Sequence, residues 1–436
     1  LNDIPIRSYD FLSNNNSKID QVFLAIPSLN KKNFKKITES INKLEIPLMR
    51  VPSLNELTNG NARIDTLRPI LIEDILGRDI IPPDPKLLLK AISKKSVLIT
   101  GAGGSIGSEL TKITLRFKAS KIVLLEINEP SLYKIERELV EKNPGIKIVS
   151  VLGSACNEKL VEKIIEENNI EVIFHAAAYK HVPLVERNPI VGIANNVFST
   201  QTICEASLKH QVERVVLISS DKAVRPTNVM GASKRLSELI FQAYSKHRIN
   251  IEQNQKVCFS TVRFGNVLGS SGSVVPLFRD QIAKGGPITI TDKEMIRYFM
   301  TIEEASYLVL QASSLAEGGD ILILDMGKPV LIKNLAKKMV QLSGLSIRDK
   351  NNHDGDIEIK YTGKRPGEKL FEELLISDES EKTSHPLIFK AKEEYIPHDI
   401  LSGELKKLKN AVKNFNKNES LKILKKLVPE WNETSK

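Results

Sequence analysis

A hydroxyl, a carboxyl and an amine follow one another at Ser220-Asp221-Lys222 in this chain of 436 residues. Eight residues after that lysine, the segment Met230-Gly-Ala-Ser-Lys234 begins and supplies a second amine. A lysine whose pKa is lowered toward neutrality by burial and by a second cation can act as a general base. A carboxyl that an apolar site keeps protonated can act as a general acid. The cluster therefore predicts acid–base catalysis, in which Met230 can accept no proton.

A glycine-rich loop, Thr100-Gly-Ala-Gly-Gly-Ser-Ile-Gly107, lies upstream of this cluster. It follows the apolar run Ser96–Thr100 and opens a predicted helix. Glycines in that position allow a tight turn and a close backbone approach to a pyrophosphate at the positive helix N-terminus. The residues predicted to hold a dinucleotide here are Gly101, Gly104, Ser105, Ile106 and Gly107.

The next predicted strand ends at Glu126, where a carboxylate can accept hydrogen bonds from the adenosine ribose and repel a 2′-phosphate. No Arg or Lys occurs between Glu126 and Lys134. These features favour NAD over NADP. If Glu126 is instead a solvated strand end, Asn128 or Glu129 would take the ribose.

The composition excludes several classes of protein. With 41% hydrophobic and 27% charged residues, the chain is typical of a folded soluble protein, and its length predicts two or perhaps three compact units. Its net charge of +10 suits an anionic partner such as a phosphorylated metabolite or a membrane surface, or else reflects solvated lysine-rich helices. No RRM, zinc-finger or basic-region pattern occurs, so nucleic acid is not an expected partner.

Three cysteines, Cys156, Cys204 and Cys258, show neither pairing nor metal-ligand spacing. We therefore expect free thiols in a reducing compartment and no metal site. No apolar run approaches the length of about 18 residues that a membrane helix needs, and no signal peptide is visible. We expect a cytoplasmic chain, and because it begins at Leu1 we expect a fragment that a membrane segment could precede.

The first part of the chain predicts a small α/β domain at residues 1–88. A strand is expected at 21–26, an amphipathic helix at 31–44 and a second strand at 47–51, which suggests a parallel unit. It has no glycine fingerprint, so we expect a structural or regulatory module. The proline-rich stretch 80–85 is the expected boundary.

From Ser96 onward, short apolar runs alternate with helical segments. Such runs are typical of strands buried on both faces, so the predicted class is α/β with a doubly wound parallel sheet. We assign residues 89–436 to one catalytic domain, with a substrate-binding region at about 264–400 and a lysine-rich helical tail. The predicted strands are Ser96–Thr100, Lys121–Leu125, Lys147–Leu152, Val172–His175 and Val215–Ser219.

The glycine loop and the Met230–Lys234 element together resemble the short-chain dehydrogenase superfamily in its extended, nucleotide-sugar-modifying form. The usual signature there is Tyr-x-x-x-Lys, so Met230 stands in the place of the tyrosine and Lys234 is kept. The resemblance implies an NAD-binding Rossmann fold in which Lys234 holds the nicotinamide ribose. It also implies a homo-oligomer, because extended relatives commonly pair through the helix that carries this element.

The segment Phe174–Glu186 resembles the loop after the fourth strand of that superfamily. Lys180 and His181 are expected to face the substrate, with surface charge as the alternative, and His175 to be a packed strand-end residue. Asn195 resembles an asparagine of the helix below the site. The small residues expected beside the cofactor are Ala176, Ala177 and Ala178.

The Ser-Asp-Lys cluster resembles that of sugar-nucleotide 4,6-dehydratases. In those enzymes NAD takes hydride from sugar carbon 4, a base removes the carbon-5 proton while an acid protonates the departing 6-hydroxyl, and hydride returns to carbon 6. The resemblance implies that Lys222 is the base and Asp221 the acid. Ser220 would orient the 4-hydroxyl or pass on its proton, a task that otherwise falls to the tyrosine.

Three further stretches, Arg263–Pro276, Ile296–Ala305 and Lys364–Leu370, resemble the CapD-like polysaccharide-biosynthesis proteins. Arginine suits a diphosphate because its planar fork makes paired charge-assisted hydrogen bonds. The alternative for each charged residue is an internal ion pair. The resemblance places Arg263 or Arg297, together with Arg365, near the diphosphate or uridine. It also implies that Asn266 and Glu368 bind the nucleotide sugar.

Within that branch, the methionine at position 230 is the feature by which the chain resembles the large, membrane-anchored UDP-N-acetylglucosamine 4,6-dehydratases. The resemblance implies an NAD-dependent enzyme that makes a UDP-4-keto-6-deoxy-N-acetylhexosamine for surface glycans. Two alternatives stay open. A UDP-sugar 4-epimerase would return hydride to carbon 4 and need no carbon-5 base. A catalytically inactive NAD-sensing module would explain the lost tyrosine.

Overall fold

The computed structural model describes residues 5–15, 19–26, 31–42, 44, 46, 48–51, 68–69, 72, 76, 81–142, 145–247, 252, 256–374 and 380–432. The strands in chain order are β1 (Val22–Leu24), β2 (Leu48–Arg50), β3 (Arg68–Pro69), β4 (Ser96–Thr100), β5 (Lys121–Glu126), β6 (Lys147–Leu152), β7 (Val172–His175), β8 (Arg214–Ile218), β9 (Cys258–Arg263), β10 (Asn266–Val267), β11 (Ile288–Ile290), β12 (Ile296–Arg297), β13 (Phe299–Met300), β14 (Asp320–Leu324), β15 (Val330–Leu331), β16 (Ile347–Arg348), β17 (Ile357–Tyr361), β18 (Ser380–Lys382) and β19 (Ile388–Ala391). The helices are α1 (Tyr9–Asn14), α2 (Lys31–Asn42), α3 (Pro85–Ile92), α4 (Ser105–Arg116), α5 (Glu129–Lys142), α6 (Glu158–Asn168), α7 (Val182–Arg187), α8 (Pro189–Ile193), α9 (Ser199–Lys209), α10 (Val229–Ser245), α11 (Val274–Ala283), α12 (Ile302–Leu315), α13 (Ile332–Leu342), α14 (His398–Lys413) and α15 (Lys417–Leu427).

The chain forms two compact units, each built from three separate segments. The smaller unit contains Leu1–Ile80, Gly272–Phe299 and Pro329–Lys364. The larger unit contains Ile81–Ser271, Met300–Lys328 and Arg365–Lys436. Part of the region expected to bind substrate therefore belongs to the smaller unit. A domain boundary at residue 88 stays a prediction.

In the smaller unit, β1 and β2 pair in parallel with Val22 opposite Leu48, and β3 pairs antiparallel with β2. This arrangement confirms the predicted strand–helix–strand order within the described residues. The elements are shorter than predicted, since α2 ends at Asn42 and β1 spans three residues. The predicted Pro47 and Ile80 lie outside the described residues. An ion pair of 3.1 Å between Lys338 and Glu39 links α13 to the N-terminal segment.

The larger unit is organised around a nine-stranded sheet in the order β18-β19-β14-β9-β8-β7-β4-β5-β6. The strands from β14 to β6 run in parallel, and β19 and β18 add antiparallel pairs at one edge. Every residue of β4 and β7 is buried, as expected for strands with helices on both faces. The predicted doubly wound α/β fold is confirmed.

The strand order reverses at β4, whose neighbours are β5 on one side and β7 on the other. In an open parallel sheet, such a reversal leaves a crevice outside the carboxyl ends of the two strands, and ligands bind there. The chain continues from β4 into Gly101 and from β7 into Ala176. The fold thus brings the glycine loop and the small alanines to the same edge of the sheet.

Helix α10 lies in the core of the larger unit, with every residue from Val229 to Tyr244 buried. It packs against α9 and against the C-terminal helices α14 and α15. The predicted helical tail is confirmed over the described residues. Its Leu401, Leu405 and Leu408, together with Trp431, belong to the same hydrophobic cluster as Met230.

Cys156, Cys204 and Cys258 carry free thiols. Burial raises the pKa of all three, so they behave as small apolar side chains at neutral pH. Among the described helices, none combines the length and apolar character that a membrane crossing requires.

Candidate active site

The glycine loop turns tightly between β4 and α4. Gly101 has a φ of +64°, and a Cβ there would lie 2.8 Å from the Cα of Ala177. A Cβ on Gly107 would lie 2.1 Å from the carbonyl oxygen of Gly101. Glycine at these two positions is therefore required for the turn and for close packing of the loop on the alanine segment. Gly104 forms the N-cap of α4, with Ser105 and Ile106 in its first turn, so the amide groups at this helix start are placed to receive a phosphate.

Glu126 ends β5 beside this loop and is almost fully buried. Its carboxylate accepts hydrogen bonds from the backbone N–H of Gly103 at 3.0 Å, of Ile127 at 2.9 Å and of Asn128 at 3.0 Å. A carboxylate offers about four lone-pair sites, which leaves capacity for a further donor. Glu126 is thus a fixed carboxylate at the strand end, not a solvated one. Asn128 is exposed, and its Oδ1 accepts a hydrogen bond from the backbone N–H of Ser131.

A cavity of about 310 Å³ opens next to this strand end. Residues from the ends of β5 and β6 line one side of it, and residues around the π-helical turn Ala194–Phe198 line the other. The lining includes Ile127, Ser154, Cys156, Tyr179, Asn195 and Lys409.

His175 is a packed core residue, as its sequence position predicts. Its Nδ1 lies 2.7 Å from the Thr100 hydroxyl, and its Nε2 faces the hydroxyls of Ser199 and Thr200. Complete burial, aided by the positive charge of Lys234, lowers the pKa of His175 to about 3. The imidazole is therefore neutral and ties β4, β7 and α9 together.

Acid should destabilise the larger unit through this histidine. The unfolded chain takes up a proton near the ordinary pKa of about 6.5, whereas the folded chain does so only near 3. Stability from this group is complete above pH 6.5 and is lost as pH falls toward 3, at up to about 1.4 kcal/mol per pH unit. Urea unfolding at pH 7 and pH 5 should show this slope in the wild type and a shallower one in His175→Gln. Equal slopes would contradict the assignment.

The Ser-Asp-Lys cluster lies just beyond the end of β8, where Asp221–Ala223 form a 3-10 turn. Asp221 Oδ1 accepts hydrogen bonds from Ser220 Oγ and from Lys222 Nζ, both at 2.9 Å. Its side chain is 1% exposed and that of Lys222 is 21% exposed. Asp221 Oδ2 is buried and has no hydrogen-bond partner in the part of the chain that the structure describes. A buried carboxyl with one unused oxygen, touching an amine that reaches the surface, can exchange protons with a ligand.

Asn266 belongs to the same cluster. Its Oδ1 lies 3.3 Å from Lys222 Nζ. Binding of the nucleotide sugar by Asn266, expected from the sequence, stays a prediction.

Met230 and Lys234 lie one turn apart on α10 and are both buried. Met230 packs in the hydrophobic cluster of the larger unit, and its carbonyl oxygen accepts a hydrogen bond of 2.7 Å from Ser233 Oγ. Lys234 Nζ donates a hydrogen bond of 2.5 Å to the carbonyl oxygen of Ile218. Burial lowers the pKa of Lys234 to about 8, with Glu238 acting in the opposite direction. Lys234 therefore keeps its charge near neutral pH and is held at the end of β8.

Lys180 and His181 lie in the loop after β7, next to the alanines. The pKa of Lys180 is lowered by partial burial and by the positive charge of Lys222. The pKa of His181 is lowered by partial burial and by Lys180. The positive charges of Lys180 and Lys222 therefore oppose each other.

Asn196, which the sequence analysis passed over in favour of its neighbour Asn195, fixes this loop to α10. Its side chain accepts from Tyr179 N–H at 2.8 Å, donates to the Tyr179 carbonyl at 3.1 Å and donates to Ser233 Oγ at 2.9 Å. It sits in the π-helical turn, a distortion that is frequent at functional sites. The Asn-Asn pair was the available signal, but sequence alone did not show which side chain points inward.

The turn that carries Arg365 and Glu368 docks on the start of α10. The carbonyl oxygen of Gly367 accepts hydrogen bonds from Thr227 Oγ1 at 2.8 Å and from Asn228 Nδ2 at 3.0 Å. Glu368 Oε2 accepts from the backbone N–H of Arg365 at 3.2 Å. Arg365 is exposed, so its guanidinium is available to a ligand.

Arg263 has a structural role, which corrects the expectation that it lies near a diphosphate. It is completely buried, and its guanidinium donates to Glu238, to Glu393 and to the carbonyl oxygen of Leu374. These five contacts match the five N–H groups of arginine, so none is left for a substrate. The internal ion pair, the alternative noted from the sequence, is the observed one. Arg297 lies in the smaller unit, where it donates to the carbonyl oxygen of Ile296 at 2.7 Å.

Glu372 is a second acidic residue beside Lys222, and the sequence analysis missed it. Its Oε1 lies 3.8 Å from Lys222 Nζ, and its side chain is 5% exposed. It follows the stretch Lys364–Leu370 by two residues, and nothing in the local pattern distinguishes it from Glu373.

The chain is similar to proteins of polysaccharide biosynthesis. A family model described as "Polysaccharide biosynthesis protein" matches residues 97–393. The chain is 42% identical over 409 residues to the capsular polysaccharide biosynthesis protein CapD of Staphylococcus aureus, a match that covers 93% of this chain and 65% of that protein. The chain thus spans less than two thirds of the length of that relative.

Two smaller relatives carry the names of different enzymes. The inverting UDP-N-acetylglucosamine 4,6-dehydratase of Campylobacter jejuni subsp. jejuni strain 81-176 is 32% identical over 298 residues, which covers 66% of this chain and 80% of that protein. The UDP-glucose 4-epimerase of Rickettsia canadensis is 34% identical over 294 residues, which covers 66% of this chain and 80% of that protein. Overall similarity therefore does not distinguish a dehydratase from an epimerase.

Proposed function

Because the chain belongs to the polysaccharide biosynthesis protein family, we propose that it is a nucleotide-sugar dehydratase that uses NAD. The finer proposal is a UDP-N-acetylglucosamine 4,6-dehydratase that makes a UDP-4-keto-6-deoxy-N-acetylhexosamine for a surface polysaccharide. The observation that carries it is the buried Asp221 carboxyl in direct contact with the Lys222 amine.

The residues at the sheet edge fit a dinucleotide. The loop Gly101–Gly107 leaves no room for side chains where a pyrophosphate would approach α4, and Glu126 offers a fixed carboxylate where a ribose would lie. That carboxylate would oppose a 2′-phosphate, so NAD is favoured over NADP. Lys234, held at the end of β8, would meet the nicotinamide ribose. When bound, the nicotinamide supplies the reversible removal and return of hydride that a 4,6-dehydratase needs.

The pair Asp221–Lys222 can prepare both groups that an elimination needs. In the resting geometry the two side chains form an ion pair of 2.9 Å. Transfer of one proton from Nζ to Oδ1 gives a neutral amine and a carboxylic acid, and a bound substrate that displaces water from the pair would favour this neutral form over the ion pair. The amine then takes the carbon-5 proton and the acid protonates the departing 6-hydroxyl as water. The ion pair is thereby restored. As hydride returns to carbon 6, the Lys222 ammonium gives a proton to carbon 5, and the proton that the 4-hydroxyl lost on oxidation, relayed by Ser220, recharges the amine.

Ser220 stands next to this pair and donates to the same Asp221 oxygen. Its hydroxyl can orient the sugar 4-hydroxyl or relay its proton, since Met230 offers no group for that task. Arg365, Glu368, Lys180 and His181 are proposed to bind the nucleotide sugar. We also propose that the chain works as a homo-oligomer in the cytoplasm.

The test is incubation with UDP-N-acetylglucosamine and NAD. We expect a 4-keto-6-deoxy product, identified by NMR, with no net formation of NADH. If the protein removes water from none of the UDP-N-acetylhexosamines tested, the dehydratase proposal is refuted.

A 4-epimerase is the second candidate, favoured by the identity to the Rickettsia canadensis enzyme. An epimerase returns hydride to carbon 4 and leaves the Asp221–Lys222 pair without a task. The same NMR experiment separates the two, because an epimer keeps its 6-hydroxyl. Binding of NAD without binding of any UDP-sugar would instead indicate an inactive sensor.

We predict that Met230→Leu retains most of the wild-type turnover. Met230 packs in the core, and leucine conserves its volume and apolar character at a usual stability cost of less than about 1.5 kcal/mol. Turnover and thermal unfolding of the two proteins should be measured together. A variant that folds normally but loses activity would show that the thioether itself positions a reacting group.

A further inference from the structure

Lys222 lies between two buried carboxylates that come from distant parts of the larger unit. Asp221 Oδ1 is 2.9 Å from Nζ, and Glu372 Oε1 is 3.8 Å from it. The side chains of the two acids are 1% and 5% exposed. Burying two negative charges around one positive charge is unfavourable in itself, so the arrangement calls for a reason beyond stability.

The adjacent glutamate shows the ordinary alternative. Glu373 is 42% exposed and pairs with Arg225 at 2.7 Å and with Lys369 at 3.3 Å. Its pKa is lowered mainly by its hydrogen bond to Arg225 and the charge of Lys369, against the opposing effect of partial burial. Two neighbouring carboxyls thus point to different environments, one outward to surface cations and one inward to the reaction centre.

The need for the inner carboxylate follows from the proton count of the elimination. Asp221 must hold a proton when it acts as the acid, so at that moment it no longer offers a charge to Lys222. An ammonium forms on Lys222 as it takes the carbon-5 proton. Glu372 brings a second carboxylate to within 4 Å of that nitrogen. It can stabilise the forming ammonium when Asp221 cannot.

We propose that Glu372 is a positioning residue for Lys222, which holds the amine at the reaction centre and strengthens it as a base. The catalytic consequence rests on the proposed dehydratase function, whereas the charge coupling does not. The charged groups that face Lys222 include Asp221, Glu372 and, with opposite sign, Lys180. Asn266 adds a neutral acceptor.

The coupling is tested without substrate by labelling Lys222 with a small amine-reactive acetylating reagent over a range of pH, with mass spectrometry as the readout. Only the neutral amine reacts, so the midpoint of labelling reports where Lys222 loses its proton. In Glu372→Gln the midpoint should move to lower pH by roughly one unit, the effect of removing one carboxylate about 4 Å away. Glu373→Gln is the matched control and should leave the midpoint in place.

The shape of the side chain is kept in Glu372→Gln, and Glu372→Asp keeps the charge while moving it back by one methylene. The aspartate variant should therefore shift the midpoint less than the glutamine variant. An unchanged midpoint in Glu372→Gln would overturn the proposal, as would an equal shift in the Glu373→Gln control.

Enzyme activity gives a second, independent test of the role of Glu372. With dehydration as the assay, Glu372→Gln should lower kcat about tenfold or more, move the acidic limb of the pH profile to lower pH and leave KM little changed. A change confined to KM would overturn the positioning role. If Glu372→Gln shows the labelling shift but the wild-type protein dehydrates no UDP-sugar, the charge coupling stands and the proposed function fails.

Discussion

Replacing Lys222 with alanine is expected to lower the rate of dehydration by roughly 10²- to 10⁴-fold, the usual effect of removing a positioned base. The reason lies in the contact of 2.9 Å between Lys222 Nζ and Asp221 Oδ1. Without the amine, the carbon-5 proton has no acceptor and Asp221 loses the donor that would protonate it. Both halves of the elimination are affected by one substitution.

The measurement that isolates this step is isotope exchange. In deuterated water the wild-type protein should place solvent deuterium at carbon 5 of the product, because the Lys222 ammonium exchanges its protons with solvent. Lys222→Ala should lose that exchange together with turnover. Lys209→Ala, which removes a surface lysine paired with Glu162, is the control and should retain both. If Lys222→Ala still dehydrates the substrate at the wild-type rate, the assignment of the base is wrong.

The sheet and the cofactor loop could be predicted because their signals are local. Each strand of the parallel sheet is a short apolar run, and the run Ser96–Thr100 leads directly into three spaced glycines. The cluster at Ser220 to Lys222 could be predicted for the same reason, since three adjacent residues at one strand end need no long-range contact to lie together.

The missed and misassigned residues depend on contacts across long stretches of sequence. Glu372 reaches Lys222 from a segment 150 residues away, and Arg263 meets Glu393 at a separation of 130 residues. A pair of identical neighbours such as Asn195-Asn196 or Glu372-Glu373 does not tell which side chain points inward, because that depends on the local backbone path. The smaller unit, assembled from three segments, was hidden for the same physical reason.

The buried network around Arg263 gives the largest expected effect on stability. Arg263 and Arg235 share the carboxylates of Glu238 and Glu393, and all four side chains are at most 4% exposed. Arg263→Met fills the same space but leaves two buried carboxylates with a single arginine. Removing one partner of a buried ion pair destabilises a protein by about 3–5 kcal/mol, because the remaining charge stays buried without compensation.

Urea unfolding should show that loss, and Arg137→Ala supplies the matched control. Arg137 pairs with Glu141 at 2.9 Å, but the two side chains are 62% and 64% exposed. An exposed pair of this kind contributes little to stability because solvent screens it, so its removal should leave the unfolding midpoint nearly unchanged. The same comparison separates the two roles considered for Arg263. A structural arginine predicts lower stability with unchanged UDP-sugar affinity in the folded fraction. A diphosphate ligand predicts unchanged stability with weaker affinity, and that result would restore the role first expected from the sequence.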